Sequence, residues 1–135
     1  MRRAKICFDF DGVIHSNLYY RGAGVVNGAL VPGVKEMISR LCVEYEVVVY
    51  SARCATEIGY KAVRGFLDNN GLSYLALAKD KPRAKIYVDD RAVLFTGDCE
   101  KLLRDIKNFS QWQEKEKLKN RIMRKRVGQC HKLRR

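Results

Sequence analysis

Four short apolar runs, each ending in polar residues and set between stretches of helical period, constrain this chain more than anything else in it. "AKICFDF" (residues 4–10), "EVVVYS" (46–51), "LSYLALA" (72–78) and "KIYVDD" (85–90) are short and nearly continuous in apolar character. They are predicted as buried strands. From Gly33 onward, Val34, Met37, Ile38, Leu41 and Cys42 recur at helical spacing, with Pro32 suited to a first turn. Thr56 is predicted to cap a helix carrying Ile58, Ala62, Phe66 and Leu67, stopped by Asn70-Gly71. Cys99, Leu102, Leu103 and Ile106 predict a last helix over 98–108. Strands alternating with helices imply an α/β fold, a Rossmann-like three-layer sandwich with a mostly parallel sheet of four or five strands.

In such sheets chemistry collects beyond the carboxyl ends of the strands. Here those ends read Asp9-Phe10-Asp11, Ser51-Ala52-Arg53 and Asp89-Asp90-Arg91, and the remaining strand runs into "KDKPR". Four carboxylates on one spot cannot all stay ionised without a counter-charge, because each raises the pKa of its neighbours. A hard divalent cation answers that need, and oxygen ligands with few histidines select Mg2+ over zinc. A cation with open positions favours phosphate as its guest. One carboxylate can then attack phosphorus, and a second, two residues on, can serve the leaving oxygen. Ser51 and a lysine would hold the non-bridging oxygens.

"DFDGVI" resembles the first motif of the haloacid dehalogenase (HAD) superfamily of phosphatases, D-x-D-G followed by an apolar residue. "VVVYSAR" is similar to its second motif, and "KPRAKIYVDD" to its third and fourth. Three motifs in register over residues 5–98 are far more specific than D-x-D-G alone. The resemblance implies a phosphomonoesterase in which Asp9 is the nucleophile, forming an aspartyl phosphate, and Asp11 is general acid and then base for water. Ser51 would bind the transferred phosphoryl group, with Ala52 and Arg53 completing the substrate-binding run. Lys81 would be the lysine, Lys79 and Lys85 being the alternatives. Mg2+ would be held by Asp9, the backbone carbonyl of Asp11 and the Asp89-Asp90 pair, with Asp90 preferred as the direct ligand. Residues 12–46 are too few for a substantial cap domain, which leaves the cleft open to macromolecular substrates. The missing cap and the Asp-Asp pair also resemble, more loosely, polynucleotide 3′-phosphatase domains.

The acidic strand ends admit two other readings. A phosphate-accepting receiver-like domain would carry its reactive aspartate on a middle strand, where this chain has Ser51. A non-catalytic nucleic-acid-binding protein would not need three intact motifs. Simpler roles remain for single residues. Arg53 and Arg91 read first as surface or ion-paired arginines, and His15 as a solvated loop histidine. "HSNLYYRGAGVVNGALVPG" (15–33) reads as a flexible flap rather than a nucleotide loop, since it follows no strand and opens no clear helix. Cys7, Cys42 and Cys99 read as core residues, and Cys54 as a neighbour of the cleft.

The chain's 135 residues suit one domain that buries about two thirds of its unfolded surface. Five cysteines with no C-x-x-C pair point to a reducing compartment. The start turns acidic almost at once and does not read as a signal peptide, and no run is apolar enough to span a bilayer, so a cytoplasmic protein with no membrane partner is expected. The net charge of +12 is uneven: residues 114–135 hold ten Lys or Arg and two Glu. A phosphatase domain over 1–110 is therefore expected to carry a basic tail over 111–135. That tail reads either as a solvated extension of the last helix or as a contact for nucleic acid.

Overall fold

The computed structural model describes residues 2–133. It is an α/β protein with a four-stranded, all-parallel sheet. The strands are β1 (Lys5–Asp9), β2 (Glu46–Tyr50), β3 (Ala76–Ala78) and β4 (Ile86–Val88), ordered β3-β2-β1-β4. Helix α1 (Val34–Leu41) joins β1 to β2, and α2 (Glu57–Asn69) joins β2 to β3. No cap domain interrupts the 12–46 segment, whose residues before α1 form a loop with isolated bridges Asp11–His15 and His15–Leu30. The chain divides into two compact units, one ending at Asp90 and the other beginning at Arg91. All four strands and every carboxylate singled out above lie in the first.

The central strands are continuous apolar runs because a parallel strand between two neighbours is covered on both faces. Ile6, Cys7 and Phe8 of β1 and Val47, Val48 and Val49 of β2 are all buried. Ile6, Phe8, Val47 and Val49 share one core with Val34 and Ile38 of α1 and Val63 and Leu67 of α2. Edge strands lose that cover, so Ile86 and Tyr87 of β4 are exposed.

Thr56 caps α2 as expected, its Oγ1 accepting from the Gly59 N–H at 3.1 Å, and Gly71 (φ 74°) turns the chain after the Asn70 cap. The buried face of α2 is Gly59, Val63 and Leu67, one residue displaced from the expected stripe, and Ile58 is 72% exposed. Gly59 decides this. A Cβ there would collide with the carbonyl of Arg53, so only glycine lets α2 close on the 3-10 turn Ala52–Ala55.

Three further expectations are corrected. β3 begins at Ala76 rather than Leu72, because residues 72–75 form a turn whose carbonyls are taken by the Arg64 guanidinium. Pro32 precedes α1 rather than opening it, and Gly33 (φ 82°) is the N-cap. Cys99 is exposed as the first residue of α3 (Cys99–Lys107), one step after the Asp98 cap, in a helix that buries none of its residues and leaves Leu103 and Ile106 exposed as well. Cys7 is buried as expected, and Cys42 is partly buried against the core.

The basic tail is a separate helix, α4 (Trp112–Leu133), and not an extension of α3. Asn108 caps α3, and residues 109–111 are non-helical. Among the described residues no helix is long and apolar enough to cross a membrane.

Candidate functional site

The sheet order places a topological switch between β1 and β4. Helical crossovers run one way from β1 through β2 to β3, and the chain then returns past them to β4. That return uses only residues 79–85, which must cross three strand spacings, about 14 Å. At a switch point the loops after neighbouring strands diverge and leave a crevice at their carboxyl ends. Asp9 ends β1, and Asp89 and Asp90 follow β4 directly, so three carboxylates arrive at this crevice. Their ligand oxygens all lie within 4.8 Å of one another.

Burial, the neighbouring Asp89 charge and a hydrogen bond with Asp90 push Asp9 from its ordinary 3.8 up to about 8. A carboxyl–carboxyl hydrogen bond requires a proton between the two groups, and a shared proton is one way to relieve their repulsion. A divalent cation is the other species that can do so, and three clustered carboxylate oxygens suit a hard one.

Asp11, two residues along, stands in the opposite environment. Its carboxylate accepts from Arg53 Nε at 2.6 Å and Nη2 at 3.0 Å, and from His15 Nδ1 at 3.1 Å. Burial disfavours its charge, but the His15 and Arg53 hydrogen bonds and the Arg53 charge outweigh burial and hold the carboxyl below its usual range. Backbone geometry brings His15 there. Gly12 (φ 79°) turns the chain, and the Phe10 carbonyl accepts from the N–H groups of Ile14 and His15, both at 2.9 Å. His15 is thereby folded in rather than solvated, 1% exposed, with its ring stacked on Phe10 and set edge-on to Phe66. Its Nε2 accepts from the Gly28 N–H at 2.8 Å, which leaves the ring proton on Nδ1, donated to Asp11.

Arg53 is buried, at 4% exposure, and ion-paired. Besides Asp11 its guanidinium donates, through Nη1, to the carbonyls of Gly22, Ala23 and Val25 at 2.7–3.0 Å, and Tyr20 lies against it at 4.9 Å. The glycine-rich "GAGVV" segment is a loop, as expected, and it wraps a cation with its carbonyls. These contacts occupy most of Arg53's five donors, so the structure directs Arg53 to Asp11 and the loop rather than to the crevice.

Ser51 follows β2 directly after Tyr50, which pairs with Asp9; it is 3% exposed, and its Oγ accepts from the Arg53 N–H at 3.2 Å while capping the 3-10 turn. Ala52 opens that turn and is exposed. Of the three lysines, Lys85 sits at the amino end of β4, its N–H bonded to the Lys5 carbonyl, far from the carboxyl edge. Lys79 lies over the Tyr60 ring, in an open cavity of about 450 Å³ also lined by Cys54 and Thr56. Lys81 lies 4.6 Å from the Tyr87 ring centroid. Tyr87 pairs with Cys7, and strand alternation puts both on the face shared by Asp9 and Asp89. Burial raises the Cys7 thiol, and the charges of Lys81, Asp9, Asp89 and Lys5 all act on it. Cys54 is buried, and burial pushes its thiol up, which disfavours a reactive thiolate.

No family model, curated protein or solved structure matches the chain. Its chemistry is therefore read from these residues alone. The fold brings together three of the residues singled out in the sequence, Asp9, Asp89 and Asp90, and the sequence reading missed the part played by His15 and by the carbonyls of residues 22–25. The spacing "DGVIH" carried a signal for His15, since a glycine-led turn followed by two apolar residues folds the fourth position back onto the aspartate.

Proposed function

We propose that this chain is a capless, Mg2+-dependent phosphatase of the HAD type, acting on a phosphomonoester. The observation that carries this reading is the convergence of Asp9, Asp89 and Asp90 at the β1/β4 switch point, with the buried Ser51 at the end of the next strand. Asp9 and the Asp89-Asp90 pair would hold the cation, together with the Asp11 carbonyl. Bound there, it would offset the charge of these carboxylates and of the phosphoryl oxygens.

An Asp9 carboxylate oxygen attacks phosphorus, the bond to the leaving oxygen breaks, and that oxygen takes a proton from Asp11. Water then gives its proton to Asp11 and attacks phosphorus, which breaks the aspartyl phosphate and releases inorganic phosphate. Ser51 and Lys81 steady the non-bridging oxygens. As the structure holds it, Asp11 is ionised and engaged by Arg53 and His15, which suits the second step. The first step needs Asp11 protonated and its pair with Arg53 loosened, and Arg53's bonds to residues 22–25 tie that loosening to movement of the flap.

The test is hydrolysis of a generic phosphomonoester by the full chain, with and without Mg2+, beside Asp9→Asn. Turnover that needs the cation and vanishes in Asp9→Asn is expected. Turnover that survives chelation, or no turnover across small phosphomonoesters and 3′- or 5′-phosphorylated oligonucleotides, overturns the reading.

A further inference from the structure

The helical form of the tail sorts its cations in a way that composition does not reveal. With 3.6 residues per turn, Arg121, Arg124, Lys125 and Lys132 fall within an arc of about 100° and extend about 16 Å along α4. Gly128 lies at the centre of that arc, and a Cβ there would meet nothing within 4 Å. Nothing in the chain itself therefore requires glycine, although it costs a helix about 1 kcal/mol against alanine. It leaves the middle of the basic stripe flat. Residues 118–132 are exposed throughout, and no carboxylate occurs after Glu116.

We infer that this stripe of α4 is a docking surface for nucleic acid, read through its phosphate backbone. The partner must be a regularly spaced polyanion, because four cations in line with no acid among them match a row of phosphates and have no counter-charge of their own. An anionic membrane fits less well. A surface-lying helix needs one continuous apolar face. In α4 the pair Leu118 and Ile122 is separated from the pair Met123 and Val127 by Lys115, Lys119 and Arg126. The inference goes beyond the phosphatase reading and does not depend on it.

The full chain is titrated against a fluorescent single-stranded oligonucleotide across a range of salt, with helix content followed by circular dichroism. One variant carries R121Q, R124Q, K125Q and K132Q, and a second carries K115Q, K119Q and R126Q. Four phosphate contacts contribute a log–log salt slope of about −3, so raising salt from about 50 to 200 mM costs roughly 50-fold in affinity. The first variant should lose that part of the slope, and the second should change affinity by no more than a few-fold. Equal losses in both variants would mean bulk charge rather than a stripe, and would overturn the inference. So would undiminished binding in the first variant, or binding to phosphatidylserine vesicles with none to the oligonucleotide. No turnover enters the measurement, so its failure is distinct from failure of the phosphatase reading.

Discussion

Asp9 and Asp11 are the same residue type two positions apart, and the fold gives them opposite electrostatic surroundings. Asp9 ends a strand among Asp89 and Asp90, with its carboxyl pushed to about 8. Asp11 lies past the strand end, inside a cage of Arg53 and His15, and is held below the usual carboxylate range. The carboxylate paired with Arg53 and His15 ties two loops together, and the one set among other carboxylates could take up a cation. Asp11 is also connected to the loop over residues 22–28 through Arg53 and His15, whereas Asp9 is connected to the strands.

The contrast can be broken most severely at Asp9. Asp9→Asn would remove the proposed nucleophile and a proposed cation ligand together, and phosphomonoester turnover should fall by roughly 10⁴-fold or more. Asp11→Asn should cost about 10²–10⁴-fold in turnover while largely preserving cation affinity, since the Asp11 carbonyl remains. Isothermal titration with Mg2+ beside the kinetics separates the two, and equal loss of cation binding in both variants would erase the distinction between the sites.

Arg53→Met tests the Asp11–Arg53 pair by itself. It leaves a buried carboxylate facing only His15 and releases three loop carbonyls, so unfolding free energy should drop by about 3–5 kcal/mol. Hydrogen exchange should rise in the 20–28 segment, and restoring neutrality with Asp11→Asn in the same chain should recover part of the loss. Exchange that stays unchanged would show that the loop is held by something other than this pair.

The smallest effect is the dependence of stability on pH. Asp9 has a folded pKa above its unfolded one, so its contribution is complete below about pH 4 and is lost as pH rises toward about 8. Asp11 has the reverse sign, contributing above the ordinary carboxylate range and losing that contribution in acid. Chelated protein should therefore lose melting temperature between pH 5 and 8, and Mg2+ should raise it more at pH 8 than at pH 5. Asp9→Asn should flatten both trends. A melting temperature insensitive to Mg2+ at pH 8 would count against a cation at this site.

Much of this protein is determined by the sequence alone, where the deciding interaction is local. The Val47–Val49 run makes a central parallel strand, because only a strand covered on both faces accepts three apolar residues in succession. Thr56, Gly71 and Asp98 set helix ends through bonds to backbone within three residues or through a left-handed φ. Asp9, Ser51, Asp89 and Asp90 were readable as residues of one edge because a parallel sheet brings all its strand ends there. What only the tertiary structure decided is the direction of each charge. Arg53 and Asp11 lie 42 positions apart and Gly28 meets His15 across 13, so no local pattern encodes those pairings. Whether a carboxylate anchors a loop or awaits a cation depends on which charges the folded chain carries to within hydrogen-bond reach. Coulomb energy follows distance in space, and distance along the chain does not predict it.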